Sequence, residues 1–328
     1  MRVGAGCVIP LLALVLLGGG CNMPSLLIKP VGNTNELEEI TVESGKAFSS
    51  SKIAIIEVEG MLMNAREGGG FFGPEENKLS LFTQQLQAAE RDGSVKAVVL
   101  RINSPGGTVT CSDTMYQMIR KFRADTKKPV IADTQEVCAS GAYYIACGAD
   151  RIVAHPTSVV GSIGVIFETF EFSGAMDKLG ITSTAIKSGA LKDMGSPFKP
   201  LDPKAAAVMQ AMVNEYYARF VGVVKENRHL SESAPIDTMT DGRVFSGEAA
   251  QKLGLVDQVG LLPDAIDMAR QMANAKGAKV VMYKRPYGYS GSIYASSPVP
   301  SPRADVMKLQ LPDPGVTLPR GFYYLWQP

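Results

Sequence analysis

Short apolar runs alternate with amphipathic segments along the chain from residue 52 onward. Runs rich in valine and isoleucine predict strands at residues 53–58, 95–102, 130–132, 152–154, 159–166, 182–186 and 280–282. Apolar residues at helical spacing predict helices at residues 79–89, 115–122, 140–147 and 265–272, around Met176, and over a long segment opened by Asp202 and Pro203. Strands that alternate with helices are typical of the α/β class, in which helices cover a mainly parallel sheet.

The first 21 residues have the pattern of an export signal. Arg2 is followed by an apolar run over residues 8–17 and by small residues up to Cys21. Ten residues of helix rise only about 15 Å, against about 30 Å for the hydrocarbon core of a bilayer, so we do not expect a stable span. Residues 16–21 resemble a bacterial lipobox, which predicts that Cys21 is lipidated and anchors the protein to a membrane. Plain secretion and an uncleaved anchor are the alternatives.

Three further segments follow the signal. Residues 22–51 are mixed and polar, which predicts a tether, and residues 52–285 carry the alternating strands and helices of the folded domain. Residues 286–328 form a proline-rich tail that ends in an aromatic cluster at residues 322–326. Two hypotheses describe the end of the tail: it docks on a surface of the domain, or it is a poorly ordered terminus.

Net charge and cysteine spacing argue against a nucleic-acid surface and against a cysteine metal site. The chain has 328 residues, 45% of them hydrophobic, and a formal net charge of +1, which argues against a nucleic-acid partner. Of the five cysteines, three lie in the folded domain, at Cys111, Cys138 and Cys147. The sequence has no C-x-x-C pair, the spacing that is typical of a metal or redox site. We interpret the three thiols as small buried apolar residues.

Ser140 and Lys192 are the candidate catalytic residues. Ser140 begins a short predicted helix, and Lys192 lies in a glycine-bounded loop. A serine hydroxyl becomes a strong nucleophile when a base takes its proton. The two histidines, His155 and His229, are interpreted as loop or surface residues. A lysine serves as a base once it is neutral, and full burial lowers a lysine pKa by about 3–5 units, so a metal is not required.

Three glycine amides are candidates for binding an oxyanion. Gly106 and Gly107 directly follow the strand predicted at residues 95–102, and glycine backbone approaches a ligand closely. Gly141 lies at the positive end of the helix after Ser140. These amides are predicted to form an oxyanion hole, and a tight turn without a ligand is the alternative.

Five motifs together resemble the bacterial signal peptide peptidase A family, peptidase family S49. They lie at residues 103–107, 139–141, 161–165, 186–197 and 241–257. The resemblance implies a ClpP/crotonase-type fold, a ring-like homo-oligomer and a serine endopeptidase that needs neither metal nor cofactor. It also implies that cleaved signal peptides and other apolar peptides are substrates, and that the catalytic domain lies on the extracytoplasmic side of the cell membrane.

The resemblance also implies a role for each matching residue. Ser140 is the nucleophile, Lys192 is the general base, and Ser162 hydrogen-bonds the lysine amine. Gly107 and Gly141 match the amides of the oxyanion hole. Whether Lys192 serves the serine of its own subunit or that of a neighbour stays open. Because the apolar end of the tail is similar to the expected substrates, we also expect it to occupy the substrate groove and moderate activity.

Two other functions compete with the protease. The first is acyl-thioester chemistry on a crotonase-type fold, but the export signal separates the protein from cytoplasmic coenzyme A. The second is a non-catalytic membrane scaffold built from the same ring. Neither has a use for the pair formed by Ser140 and Lys192.

Overall fold

The computed structural model describes residues 36–47, 49–67, 76–232, 235–285 and 321–327. The predicted export signal, Cys21 and the first part of the predicted tether lie outside these residues. Among the described helices, none combines the length and the apolar character needed to cross a membrane.

Strands and helices alternate through most of the described chain. The strands are β1 (Glu38–Glu43), β2 (Lys52–Glu59), β3 (Arg66–Glu67), β4 (Glu76–Asn77), β5 (Val95–Ser104), β6 (Gly106–Thr108), β7 (Val130–Ala139), β8 (Arg151–Ala154), β9 (Val159–Gly161), β10 (Val244–Ser246), β11 (Gln258–Val259), β12 (Lys279–Lys284) and β13 (Tyr323–Leu325). The helices are α1 (Lys78–Arg91), α2 (Val109–Thr126), α3 (Gly141–Ala146), α4 (Ser173–Lys178), α5 (Pro203–Asn227), α6 (Ile236–Met239), α7 (Gly247–Lys252) and α8 (Leu262–Met272).

One mainly parallel sheet organises the domain. Its order within the described chain is β1-β12-β2-β5-β7-β8-β11, and β9 pairs with the end of β7 and with β10. The pairs from β12 through β11 are parallel, whereas β1 on β12 and β10 on β9 are antiparallel. The α/β class and the mainly parallel sheet predicted from the sequence are therefore confirmed.

Both faces of the sheet are covered, as expected of a parallel sheet. On one face, alternate residues of β2 and β5 such as Ile56 and Leu100 pack in a cluster that includes side chains of α1, α2, α3 and α5. On the other face, Ile55 and Val99 pack in a second cluster with α8. Successive residues of a strand face opposite sides of the sheet, and here both sides are buried. This explains the nearly continuous apolar runs in the sequence.

Helix starts follow the sequence signals closely. The Asp202 side chain accepts a hydrogen bond from the Lys204 N–H, and Pro203 opens α5. The Thr108 side chain caps α2 by accepting from the Cys111 N–H. Both caps satisfy a backbone donor that has no partner within the helix.

One predicted strand is wrong and another is shorter than predicted. Residues 182–186 are exposed and form no strand, and the Ile186 side chain is fully exposed. Of residues 159–166, only 159–161 form a strand, followed by a single bridge at Ile166. Valine and isoleucine favour a strand mainly because their side chains pack well against neighbouring strands. In the described chain no strand lies beside residues 182–186, so this stabilisation is missing.

Two strands arise from segments predicted to lie outside the domain. β1 comes from the predicted tether of residues 22–51 and pairs with β12 at the edge of the sheet. Its glutamates make it a polar edge, which discourages pairing with other chains. β13 comes from the predicted proline-rich tail and pairs with β6. The tail end therefore docks on the domain.

The three thiols of the domain are buried and form no disulfide among the described residues. Burial raises the pKa of Cys147 to about 12 and holds the pKa of Cys138 well above its ordinary value. Both groups therefore stay protonated and unreactive.

A row of charged side chains crosses the inner strands. Glu57, Arg101 and Asp133 lie at paired positions of β2, β5 and β7. Glu57 forms ion pairs with Arg101 and, at 3.1 Å, with Lys284. Asp133 is 1% exposed, and its Oδ1 has no hydrogen-bond partner within the described part of the chain. Burial raises the pKa of Asp133 to about 7, against the opposing effects of the Gln135 amide and Arg101.

Replacing Asp133 with asparagine is expected to flatten the pH dependence of stability. The native carboxyl keeps its proton up to about pH 7, whereas an unfolded chain releases it near pH 4. Folding therefore takes up a proton between these values, and the stability that this group contributes is lost as the pH rises from about 4 to about 7. Thermal unfolding of Asp133→Asn should change less between pH 5 and pH 8 than that of the wild type. The exposed Asp177→Asn is the control, and parallel curves for Asp133→Asn and the wild type would refute the assignment.

Candidate active site

Ser140 occupies the turn between β7 and α3. Its φ of 53° lies in the left-handed region that favours glycine, and the residue is 1% exposed. The Ser140 N–H donates to the Gly161 carbonyl at 2.7 Å, and the Ser140 carbonyl accepts from the Tyr144 N–H at 2.9 Å. A strained strand-to-helix turn is typical of nucleophilic serines, and it forms here without the Gly-x-Ser-x-Gly sequence.

The amides of Gly107 and Gly141 converge beside Ser140. A Cβ atom built on Gly141 would lie 3.2 Å from the Gly107 nitrogen and 3.0 Å from the Tyr324 carbonyl oxygen. The two glycines come from different segments, β6 and the first residue of α3, and both lie near the Tyr324 carbonyl. Their role as donors of an oxyanion hole stays a prediction.

The Gly106 amide was predicted to bind an oxyanion, but it already has an acceptor within the protein. Its N–H donates to the Ser104 hydroxyl at 3.1 Å, so this amide is directed away from the carbonyl that the other two approach. Its φ is 103°, and a Cβ built on it would lie 2.1 Å from the Tyr324 oxygen. Gly106 is therefore required for close approach of two backbones, and the predicted set of three donors reduces to two.

Ser162 lies next to Ser140 because of strand register. Ala139 of β7 pairs with Gly161 of β9, so the following residue of each strand, Ser140 and Ser162, leaves the sheet at the same edge. Ser162 has a φ of 50°, is 7% exposed, and donates its N–H to the Arg243 carbonyl at 2.8 Å. Among the described residues, neither serine hydroxyl has a hydrogen-bond partner.

Lys192 is not within hydrogen-bond distance of Ser140 in the single chain. It is exposed, and its amine has no partner among the described residues. The adjacent Asp193 pairs instead with Lys187 at 2.7 Å and with Lys199 at 2.6 Å. Hydrogen bonds from these two lysines lower the pKa of Asp193 to about 2. Asp193 is therefore not an ion-pair partner of Lys192, the lysine predicted as base.

The segment that carries Lys192, residues 166–201, is here called the arm. It exposes more large apolar side chains than a solvated surface segment needs. Those more than a third exposed are Ile166, Phe170, Phe172, Leu179, Ile181, Ile186, Leu191, Phe198 and Leu201.

The tail strand β13 lies against the two converging amides. It runs antiparallel to β6, with Tyr324 opposite Gly107. The Val109 N–H donates to the Phe322 carbonyl at 3.2 Å, and the Trp326 N–H donates to the Pro105 carbonyl at 2.8 Å. Each of these two bonds joins residues that lie directly opposite each other in the ladder. Hydrogen-bonded and non-hydrogen-bonded pairs alternate along an antiparallel ladder, so the pair between them, Gly107 and Tyr324, is also hydrogen-bonded. The Tyr324 carbonyl is therefore aimed at the Gly107 amide.

The other edge of β13 is also paired. Tyr323 and Ile166 exchange two backbone hydrogen bonds of 3.0 Å each. The tail thus fills a slot between β6 and the start of the arm. The aromatic cluster at residues 322–326 was the sequence signal for this docking, but its register was beyond sequence reasoning.

The Tyr324 side chain fills an aromatic pocket and is fully buried. Its ring stacks on that of Tyr144 at 5.1 Å and contacts that of Phe220 at 4.8 Å between centroids. Its hydroxyl donates to the Tyr216 carbonyl at 2.8 Å. The Tyr144 hydroxyl in turn donates to Asp113 at 2.7 Å, which fixes the wall of the pocket.

Comparison with known proteins agrees with the fold. The sequence model of Peptidase family S49 matches residues 122–276, and that of Clp protease matches residues 72–159. A protein assigned as a protease in Methanocaldococcus jannaschii is 39% identical over 242 residues, which cover 74% of this chain and 77% of that protein. A protein assigned as signal peptide peptidase SppA in Enterococcus faecium is 37% identical over 251 residues, 76% of this chain and 72% of that protein. Protease 4 of Salmonella typhi is 33% identical over 230 residues, 70% of this chain and 36% of that protein. The sheet is of the ClpP type, and the chain belongs to peptidase family S49, the signal peptide peptidase A family.

Proposed function

We propose that this peptidase is a serine endopeptidase in which Ser140 is the nucleophile and Lys192 is the general base. The observation that carries the proposal is the peptide strand already seated beside Ser140. Its Tyr324 residue pairs with Gly107, and the Tyr324 carbonyl lies 3.0 Å from a Cβ built on Gly141. An extended peptide held in this way has the geometry of a substrate.

Strand addition explains which peptides the groove accepts. Backbone hydrogen bonds to β6 on one edge and to Ile166 on the other hold a peptide without regard to its sequence. Side-chain preference then comes from the aromatic pocket that Tyr324 fills. These features favour extended peptides with large apolar or aromatic side chains, and they support the proposal that apolar segments such as cleaved signal peptides are substrates.

The proposed reaction proceeds in two steps. The Ser140 oxygen attacks the peptide carbonyl while the neutral lysine amine takes the hydroxyl proton. The carbonyl oxygen becomes an oxyanion and is stabilised by the amides of Gly107 and Gly141. The resulting ammonium group of Lys192 protonates the leaving amine. Water then hydrolyses the acyl-enzyme by the same route, with the lysine again acting as base.

We further propose that a second copy of the chain brings its Lys192 to Ser140. In the single chain the Ser140 hydroxyl and the lysine amine both lack partners among the described residues. The lysine lies on the arm, whose exposed apolar side chains favour contact with another subunit. Association would remove the amine from water, and burial favours the neutral form that accepts a proton. The Ser162 hydroxyl, at the same edge of the sheet, is suited to orient the amine.

A membrane tether fits this substrate class. Lipidation of Cys21 would hold the ring at the extracytoplasmic surface, where cleaved signal peptides remain. Replacement of Cys21 by alanine therefore releases the protein from the membrane fraction if the lipid is the anchor.

Ser140→Ala and Lys192→Ala are each expected to lower hydrolysis of a leucine- and tyrosine-containing peptide by more than about 1,000-fold, because the two groups act as a unit. Peptide cleavage by purified full-length protein measures the effect. Lys178→Ala, a change on the same arm, is the matched control. A single dyad variant that retained a tenth of wild-type activity would rule the assignment out.

Mixing the two inactive variants distinguishes the two possible sources of the lysine. If each site takes its serine and lysine from different subunits, random rings of Ser140→Ala and Lys192→Ala chains contain about a quarter of intact sites. Activity should then return after the variants are dissociated and reassembled together. Mixtures that stay inactive, although mass measurement shows mixed rings, would mean that both residues come from one chain.

Release of the tail is expected to favour external substrates. Tyr324→Ala empties the aromatic pocket and weakens a competitor that is present at high effective concentration, so the apparent KM for a small peptide should fall about three- to tenfold with kcat unchanged. Steady-state kinetics measures both constants. Gln327→Ala, at an exposed position of the same segment, is the control. Equal KM values for Tyr324→Ala and the wild type would show that the tail does not compete.

A further inference from the structure

One serine outside the proposed dyad bridges the ends of two strands beside the site. Ser104 is the last residue of β5 and is fully buried. Its hydroxyl donates to the Gly60 carbonyl, just beyond β2, at 2.6 Å. The same hydroxyl accepts the Gly106 N–H at 3.1 Å. A single hydroxyl thus connects β2 to the turn that leads into β6.

We propose that Ser104 is a positioning residue for the oxyanion hole, a role that rests on the proposed function. Its hydrogen bond fixes the peptide plane between Pro105 and Gly106. Because a trans peptide directs its N–H and C=O to opposite sides, the Pro105 carbonyl then faces β13, where it accepts from the Trp326 N–H at 2.8 Å. The Ser104 hydroxyl therefore determines that the Pro105 carbonyl, and not the Gly106 N–H, faces the groove.

The next peptide plane carries the oxyanion donor. The Gly106 carbonyl accepts from the Leu62 N–H at 2.8 Å, so the Gly107 N–H in the same plane points away from Leu62 and into the groove. Gly106 joins the two planes with a φ of 103°, a conformation with little steric restraint in glycine. Fixing both planes by hydrogen bonds is what holds the Gly107 donor in one direction.

Loss of the Ser104 hydroxyl would release the first of these planes. The Gly106 N–H would be buried without an acceptor, which favours rotation of the peptide toward any other acceptor. The Gly107 donor would then spend less time aimed at the reacting carbonyl. Because an oxyanion exists only in the transition state, the loss should appear in kcat and leave KM almost unchanged.

The experiment compares full-length Ser104→Ala with wild type on a small apolar peptide. We expect kcat to fall about 10- to 100-fold, less than the about 100- to 1,000-fold typical when an oxyanion donor is removed outright, with KM within about twofold. A peptide aldehyde, whose adduct with Ser140 places an oxyanion in the hole, should bind more weakly by the same factor as kcat. Binding of the parent peptide to Ser140→Ala/Ser104→Ala should match its binding to Ser140→Ala.

Ser158→Ala is the matched control. The Ser158 side chain is equally buried just before β9, and its hydroxyl donates to the Thr134 carbonyl at 2.9 Å and accepts from the Thr134 hydroxyl at 2.9 Å. A general loss of packing would lower thermal stability in both variants. Only Ser104→Ala should lose affinity for the aldehyde.

The outcomes separate this inference from the proposed function. A serine-reactive phosphonate that fails to modify Ser140 in the wild type would overturn both. Modification of the wild type at Ser140, together with kcat within about threefold of wild type for Ser104→Ala, would overturn the role of Ser104 alone. If Ser104→Ala does not fold, Ser104→Cys replaces it, since a thiol is a weak donor and acceptor. An intermediate kcat then supports the proposal, and a wild-type kcat overturns it.

Discussion

Backbone segments that approach one another without room for a Cβ atom are the constraint on which the site depends. A Cβ on Gly107 would lie 2.0 Å from the Leu62 oxygen, and one on Gly141 would lie 2.3 Å from the Ser112 hydroxyl. The missing side chains let β6 lie against Leu62 and the start of α3 lie against α2, and they leave a Cβ built on Gly141 only 3.2 Å from the Gly107 nitrogen. Any side chain at these positions would move the donors apart.

A change of partner along β7 creates the space in which the site lies. Residues 131–134 of β7 pair with β8, whereas residues 137–139 pair with β9. The sheet therefore divides near its carboxyl edge, where ligand sites of parallel sheets form. Ser140 and Ser162 leave the sheet together at this division, and the Arg243 carbonyl next to β10 holds the second of them in place.

Local signals in the sequence predicted the inner strands and the start of α5 at Asp202 and Pro203, because buried parallel strands and caps depend mainly on nearby residues. Positions that depend on distant partners were predicted less well. Residues 182–186 have the composition of a strand but no neighbour to pair with in the described chain, and the partner of β6 comes from 215 positions later, as Tyr323 opposite Thr108. The use of the Gly106 amide by Ser104 is likewise a matter of side-chain geometry that spacing does not encode.

Burial of Cys111, Cys138 and Cys147 makes the domain convenient for chemical labelling. Enclosed thiols are out of reach of maleimides, so the native cysteines of the described residues should stay unlabelled. A cysteine introduced at the fully exposed Ile186 would then be the reactive thiol of the described domain. A fluorophore attached there would sit on the arm itself and would change its emission when another subunit covers that surface.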